Sequence, residues 1–221
     1  SYGGSLETAA ADMEHYLAAG SGVLVLCGNE TRARNFHRLL EERGVRARLD
    51  LSDRPLPAAG ETVIGNHICM MKGTRIGHDC RVDDDCILGI DCDLSGECHI
   101  HSKAILAGRV IVKEKCRVGS WTLVKSGCRT SKDIPPYILA AHNPIMYKGI
   151  NAFILRRQGF SEETIENIAL AYRQVYSSGT SLENAILRIK EVVAPSPEID
   201  YILKFFAESK MGIIATIGEG K

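Results

Sequence analysis

No two cysteines in this chain lie two to four residues apart, although cysteine is abundant, with eight among 221 residues. Structural zinc sites take thiolates in close pairs from tight turns, so that absence argues against a cysteine-held metal, and no metal is expected. There is no surplus of charge either: 27 lysines and arginines face 27 aspartates and glutamates. No global field therefore draws the chain to nucleic acid or to an anionic membrane. Apolar runs are short, VLVLC from Val23 to Cys27 being typical, which excludes a helical membrane span. A charged segment followed by an apolar one is missing from the start of the chain, so a cytoplasmic location and reduced thiols are expected. The Gly28-Asn29 turn fits neither GxGxxG nor a P-loop, and no nucleotide-binding claim follows from it.

What is present is a period. Counted from Ile76 in sixes, the sequence reads IGHDCR, VDDDCI, LGIDCD, LSGECH, IHSKAI, LAGRVI, VKEKCR, VGSWTL and VKSGCR. Every block opens on Ile, Val or Leu, and its fifth residue is Cys, Ala, Val or Thr. IGNHIC from Ile64 and MMKGTR from Met70 extend the register backward more loosely. A short period held over about nine blocks means a solenoid whose units bury their apolar face by stacking on one another, here a parallel β-helix. The pattern resembles the left-handed β-helix of the hexapeptide acyltransferases, in which three blocks make a triangular turn of eighteen residues. That resemblance implies an inward leading residue and a small fifth one. Cysteine then serves as a small hydrophobe, with Cys80, Cys98 and Cys116 stacked one turn apart on one face.

The expected fold is mainly β: a left-handed parallel β-helix over residues 64–130, a helical domain over 131–221, and a small α/β segment over 1–60. In the last of these, Leu6 to Ala19 and Glu30 to Arg43 read as helices, the second capped by Asn29 and stopped by Gly44. Val23 to Cys27 and Ala47 to Leu51 read as strands, giving a βαβ-like unit. Arg32, Arg34, Arg38 and Arg43 fit a solvated helix face better than a phosphate site. The proline-bearing segment from Leu51 to Glu61 is the expected linker. The stretch GVLVLCGNETRARNFHRLLEERGV resembles the N-terminal module of bacterial transcription-repair coupling factors, which implies protein contacts and no catalysis. Beyond the coils, SKDIPPY places two prolines where the β-coils are expected to end. Three amphipathic helices are predicted after it: Glu162 to Tyr176 behind Ser161, Leu182 to Val193, and one opened by Ser196-Pro197. Their apolar faces are Ile165, Ile168, Ala169, Tyr172, Val175 and Tyr176 on the first, and Ile199, Ile202, Leu203 and Phe206 on the last.

IGHDCRV, SKDIPPYILA, the RRQGFSEETIENI run and SPEIDYILKFFAESKMGII together resemble the acyl-carrier-protein-dependent UDP-N-acetylglucosamine O-acyltransferases of lipid A biosynthesis, over about residues 70–212. The resemblance implies transfer of a 3-hydroxyacyl chain from acyl carrier protein to the 3-hydroxyl of UDP-N-acetylglucosamine, the first step of lipid A biosynthesis. It further implies a homotrimer with sites between subunits and no cofactor. His78 falls on the general base and Asp79 on the carboxylate that orients it. Gly96 falls on the oxyanion donor, and Asn143 and Arg157 fall on substrate-binding positions. A hydroxyl attacks a thioester poorly unless its proton leaves as the bond forms, and a neutral imidazole is suited to take it near pH 7. Three cleft positions depart from the family, each a histidine there: Arg75, Glu97 and Lys113. The family also carries more coils before the IGHDC block. These departures keep a second reading in view, a non-catalytic trimeric scaffold or fusion presenting the N-terminal module.

Overall fold

The computed structural model describes residues 10–11, 13–15, 18, 30–45, 61–176 and 179–216. It divides into two units, residues 1–58 and 59–221. In the first, α1 (Glu30–Glu42) buries Phe36 and Leu40 with Ala10 and Met13. Gly44, at φ +73°, stops the helix as expected, with its N–H on the Glu41 carbonyl. Residues 10–11, 13–15 and 18 are helical, and Arg38 is exposed beside Glu42. The two strands expected there, Val23–Cys27 and Ala47–Leu51, lie outside the described residues, as do Asn29 and nearly all of the linker.

The second unit is the solenoid. Twelve two-residue strands recur every six residues: β1 (Val63–Ile64), β2 (Cys69–Met70), β3 (Arg75–Ile76), β4 (Arg81–Val82), β5 (Ile87–Leu88), β6 (Asp93–Leu94), β7 (His99–Ile100), β8 (Ile105–Leu106), β9 (Ile111–Val112), β10 (Arg117–Val118), β11 (Leu123–Val124) and β12 (Arg129–Thr130). They stack in parallel as three ladders: β1-β4-β7-β10, β2-β5-β8-β11 and β3-β6-β9-β12. Within each ladder the register is eighteen residues, Arg81 on His99 on Arg117 for example. This is the parallel β-helix that the hexads predict, of the left-handed kind that the resemblance implies.

Both repeat positions go inward. Val82, Leu88, Leu94, Ile100, Leu106, Val112, Val118 and Val124 are essentially inaccessible, as is every fifth residue from Cys80 to Cys128. The thiols also have a polar reason for their place. Cys80, Cys86, Cys92 and Cys98 each donate Sγ–H to the carbonyl fifteen residues on, at 2.8, 3.1, 3.0 and 3.1 Å. Thr122, at the same position, donates to the Pro135 carbonyl at 2.6 Å. A small side chain with one weak donor thus fills the corner and satisfies the coil above. Burial pushes the Cys86 and Cys116 thiols up to about 11. Under native conditions Cys80, Cys86, Cys92, Cys98, Cys116 and Cys128 are expected to react slowly with a maleimide while exposed Cys69 reacts at once. Peptide mapping of the labelled protein reads this directly, and rapid labelling of the buried six would overturn the packing role.

The prolines do not end the stack. Val118 bridges Ile134 in parallel, and β13 (Ile138–Ala141) lies on β11 with Leu123 against Leu139, so Pro135 and Pro136 sit inside a last coil shortened to sixteen residues. β13 then turns back antiparallel into β14 (Met146–Ile150), whose far edge takes β15 (Ala215–Thr216). Among the described residues four helices follow where three were expected: α2 (Ala152–Arg157), α3 (Glu162–Tyr176), α4 (Leu182–Val192) and α5 (Pro197–Ala207). α2 has one buried residue, Leu155, and is too short to show an apolar period. The expected caps are present, with Ser161 Oγ accepting from the Thr164 N–H and Ser196 Oγ from the Ile199 N–H. Two face assignments shift: Ala171 is buried where Ala169 was expected, and Phe205 where Leu203 was. Phe205 goes inward because it packs beneath the guanidinium of Arg117, 4.3 Å from Cζ to the ring centre.

Candidate functional site

Each corner between strands holds one residue in the left-handed region, and for most coils it is not glycine: Asp79, Asp85, Asp91, Glu97, Lys103, Arg109 and Lys115 have φ between 54° and 65°. Such a backbone is locally unfavourable for an L residue. The stack offsets that cost, because the left-handed amide donates to the corner carbonyl one coil below. Glu97 N–H reaches the His78 carbonyl at 2.8 Å, and Lys115 N–H the Gly96 carbonyl at 3.1 Å. The corner between β3 and β4 is thereby held in place, and it carries His78 and Asp79.

At φ +57°, Asp79 turns its carboxylate back onto its neighbour, Oδ2 lying 2.7 Å from His78 Nδ1. The imidazole is otherwise open, with 74% of the side chain exposed. Its Nε2 edge lies over Gly96 one coil above, and a Cβ at Gly96 would collide with Nε2 and Cε1. Glycine is required there so that the ring can lie flat along the corner. A Cβ at Gly77 would likewise meet the Ser95 carbonyl at 2.8 Å, which keeps the two coils closely apposed beside the ring. The hydrogen bond that His78 Nδ1–H donates to the Asp79 carboxylate holds the His78 pKa above its ordinary value. Sequence reasoning singled out His78, Asp79 and Gly96, and the structure brings the three into contact.

Asn143 and Arg157 lie elsewhere. Asn143 follows β13, beyond the last coil, roughly 15–20 Å up the axis from His78 at about 4.8 Å per rung. With Lys113, Arg129, Thr130, Lys132 and Ile145 it lines a groove of about 430 Å³. Arg157 closes α2, its guanidinium 5.7 Å from the Phe153 ring. The departures have partners within the chain: Arg75 pairs with Asp93 at 3.0 Å, and Glu97 with Lys115 at 3.7 Å. Lys113 faces the groove. Arg129 and Lys132, which join it there, were not anticipated; their signal was a basic residue at each end of the RTSK run, which begins on the final residue of the last hexad.

Chemically, the corner offers an accessible imidazole whose Nδ1 is held by a carboxylate and whose Nε2 is free to accept a proton. Gly96, one coil above, has no side chain and so lets the ring lie along the corner. That arrangement suits removal of a proton from a hydroxyl brought to Nε2.

Residues 133–214 match the family model described as Udp N-acetylglucosamine O-acyltransferase, Domain 2. Over 177 residues the chain is 32% identical to the acyl-[acyl-carrier-protein]–UDP-N-acetylglucosamine O-acyltransferase of Pseudomonas entomophila, covering 80% of this chain and 67% of that one. Among solved structures, a UDP-N-acetylglucosamine acyltransferase from Bacteroides fragilis is 44% identical with a TM-score of 0.66, over 67% of this chain and 58% of its own. The Acinetobacter baumannii protein is 33% identical with a TM-score of 0.67, over 68% and 59%. The chain spans between 54% and 67% of the length of the curated relatives it matches.

Proposed function

This chain belongs to the acyl-[acyl-carrier-protein]–UDP-N-acetylglucosamine O-acyltransferase family, and from that premise we propose that it moves a 3-hydroxyacyl chain from acyl carrier protein to the 3-hydroxyl of UDP-N-acetylglucosamine, the entry step of lipid A biosynthesis. The observation that carries the reading is the His78–Asp79 dyad lying over Gly96 on one corner of the solenoid. His78 Nε2 takes the proton of the sugar hydroxyl as its oxygen attacks the thioester carbonyl. Asp79 holds the opposite N–H and stabilises the imidazolium that forms. The Gly96 N–H, which has no protein acceptor among the described residues, donates to the developing oxyanion. Collapse of the tetrahedral intermediate breaks the C–S bond, and the departing thiolate recovers the proton from His78. Lys113, Arg129 and Lys132 at the groove supply three cations to a phosphate, which the nucleotide-sugar and the acyl donor both carry. Asn143 and Arg157 bind at the far end of the same ligand.

The direct test is transfer from 3-hydroxyacyl carrier protein to UDP-N-acetylglucosamine by the full chain, followed by mass spectrometry of the acylated sugar. Formation of the 3-O-ester is expected; a folded protein that neither transfers nor binds either substrate would sink the assignment. A homotrimer belongs to the same reading, because the family resemblance implies sites shared between subunits. Sedimentation equilibrium is expected to give roughly three times the chain mass, and a monomer at micromolar concentration would remove the shared site.

The pH dependence carries a sign. His78 works as a base only when neutral, and its hydrogen bond to Asp79 raises its pKa above 6.5. Activity is therefore expected to be present above that pKa and lost as pH falls through it, with the acid limb of kcat/KM above pH 6.5. Asp79→Asn removes the chief cause of the shift, so the limb is expected to move to lower pH while kcat falls. An unmoved limb would show that another group titrates.

A further inference from the structure

On the face adjoining the His78 corner, three side chains that no step of the proposed reaction uses converge. His99 belongs to β7, and His101 follows two residues later on the same outward face. Asp83 lies eighteen residues before His101 and so directly beneath it in the next coil. One ligating atom of each lies within 4.8 Å of the others. His99 Nε2 is 2.8 Å from Asp83 Oδ2, and the two imidazoles stack with centres 3.9 Å apart and planes 18° from parallel. Arg81 Nε donates to the other carboxylate oxygen, Oδ1, at 2.6 Å, which fixes the carboxylate so that Oδ2 faces the histidines.

The surroundings form a half-closed socket. Tyr201 and Phe205 of α5 pack against the His101 ring at 5.9 and 5.6 Å between centres, walling one side. His99 keeps 29% of its side chain accessible and Asp83 19%, so the other side stays open to an ion. Within the socket, His101 Nε2 is enclosed and has no hydrogen-bond partner among the described residues. A buried polar atom without a partner is the kind that a bound ion or an ordered water satisfies. The His99–Asp83 contact alone explains an ion pair, but it leaves that nitrogen and the alignment of a second imidazole without a role.

The geometry points to a divalent transition-metal site of the zinc class built from Asp83, His99 and His101, stapling two successive coils beside α5. Two imidazoles and one carboxylate are a ligand set suited to Zn²⁺ and its neighbours rather than to Ca²⁺ or Mg²⁺. Three ligands at about 2.0–2.2 Å leave a fourth position for water on the open side. For an ion to enter, the stacked rings must fan apart slightly at Cβ and the His99 Nε2 hydrogen bond must give way to coordination. Arg81 becomes the outer partner that orients the ligating carboxylate, and because its charge opposes the ion it sets the affinity below that of an unpaired carboxylate. Its side chain is 64% exposed and able to turn toward water as the ion binds.

The test is titration of the untagged, chelator-stripped full chain with CoCl₂ alone, read by visible absorption, and with ZnCl₂ by equilibrium dialysis. One ion per chain is expected, with the intense d–d bands of four-coordinate Co²⁺ and none of the near-ultraviolet absorption that thiolate ligands give. Raising Zn²⁺ is expected to raise Tm in a concentration-dependent manner. His99→Ala, His101→Ala and Asp83→Asn are each expected to weaken binding by at least the ten- to hundredfold that loss of an outer partner commonly costs. His99→Gln, which preserves volume and polarity, serves where alanine disturbs the fold. Absence of binding by the wild-type chain overturns the site, as does a thiolate signature or undiminished binding by folded His101 and Asp83 variants. Because the readouts are spectral and thermal, they stand apart from the transfer assay, and either proposal can fail without the other.

Discussion

His78→Ala is expected to lower acyl transfer by on the order of a hundredfold to ten-thousandfold while leaving the solenoid folded. Loss of a positioned general base costs that much because the sugar hydroxyl must then lose its proton to water in the transition state. The fold is expected to tolerate the change because the ring contributes nothing to the interior. Its side chain is 74% exposed, and the corner is held by the backbone, with the His78 carbonyl still accepting from Glu97 N–H. The effect belongs on kcat, with KM for both substrates nearly unchanged, since the imidazole acts where the proton moves. Asp79→Asn is expected to cost less, as it removes an orienting partner rather than the acceptor. Gly96→Ala gives the complementary result: its methyl would displace the imidazole, so activity is expected to fall with His78 still present. Kinetics of the three variants at one pH, with circular dichroism to confirm folding, check the order. Full activity in His78→Ala would remove the corner as the reaction centre.

The solenoid was legible because its physics is periodic. A buried aliphatic residue every six, with a small residue four places after it, leaves few alternatives, and Cys80, Cys98 and Cys116 follow from the same count. The last coil was less legible, since Pro135 and Pro136 read locally as a stop. What carries the chain past them is nonlocal: the Ile134 bridge to Val118 and the Thr122 hydroxyl on the Pro135 carbonyl. Helix α2 escaped notice because six residues hold no period, and Phe205 escaped because its partner, Arg117, is distant in sequence. The His78–Asp79–Gly96 set was found by family resemblance. The eighteen-residue register explains it physically, since Gly96 must lie above His78. That same register places Asp83 beneath His101, so the second cluster was also written in the sequence, as an HxH on a strand with an aspartate one coil earlier. It went unread because no family pattern drew attention to it.

The largest stability effect is expected at the junction of coils and helices. Asp133, 1% exposed, accepts from the Arg117 backbone N–H at 2.8 Å, from Arg117 Nε at 3.2 Å and from Ser209 Oγ at 2.8 Å. Its backbone pairs with Gly212 and Ile214, which tie the end of the chain to the last coil. Arg117 also donates to the Phe205 carbonyl at 2.7 Å and stacks on that ring, so one guanidinium joins β10, the shortened coil and α5. Arg117→Met keeps most of the volume but leaves a buried carboxylate with no cation beside it, and about 3–5 kcal/mol of destabilisation is expected. Lysine should not rescue it, because a single ammonium cannot serve Asp133 and the Phe205 carbonyl in the planar fork that arginine provides. Glu208→Gln removes the outer ion pair of the same guanidinium, at 3.4 Å, and the exposed Lys204–Glu208 pair, at 3.9 Å; with Glu208 half exposed it is expected to cost no more than about 1 kcal/mol. Adding Asp133→Asn to Arg117→Met discharges the stranded carboxylate, so the double variant is expected to be less destabilised than the two single changes together. Urea unfolding of Arg117→Met, Arg117→Lys, Glu208→Gln, Asp133→Asn and the double variant at one protein concentration measures all of this. Equal costs for Arg117→Met and Glu208→Gln would show that the buried pair does not hold the helical domain to the coils.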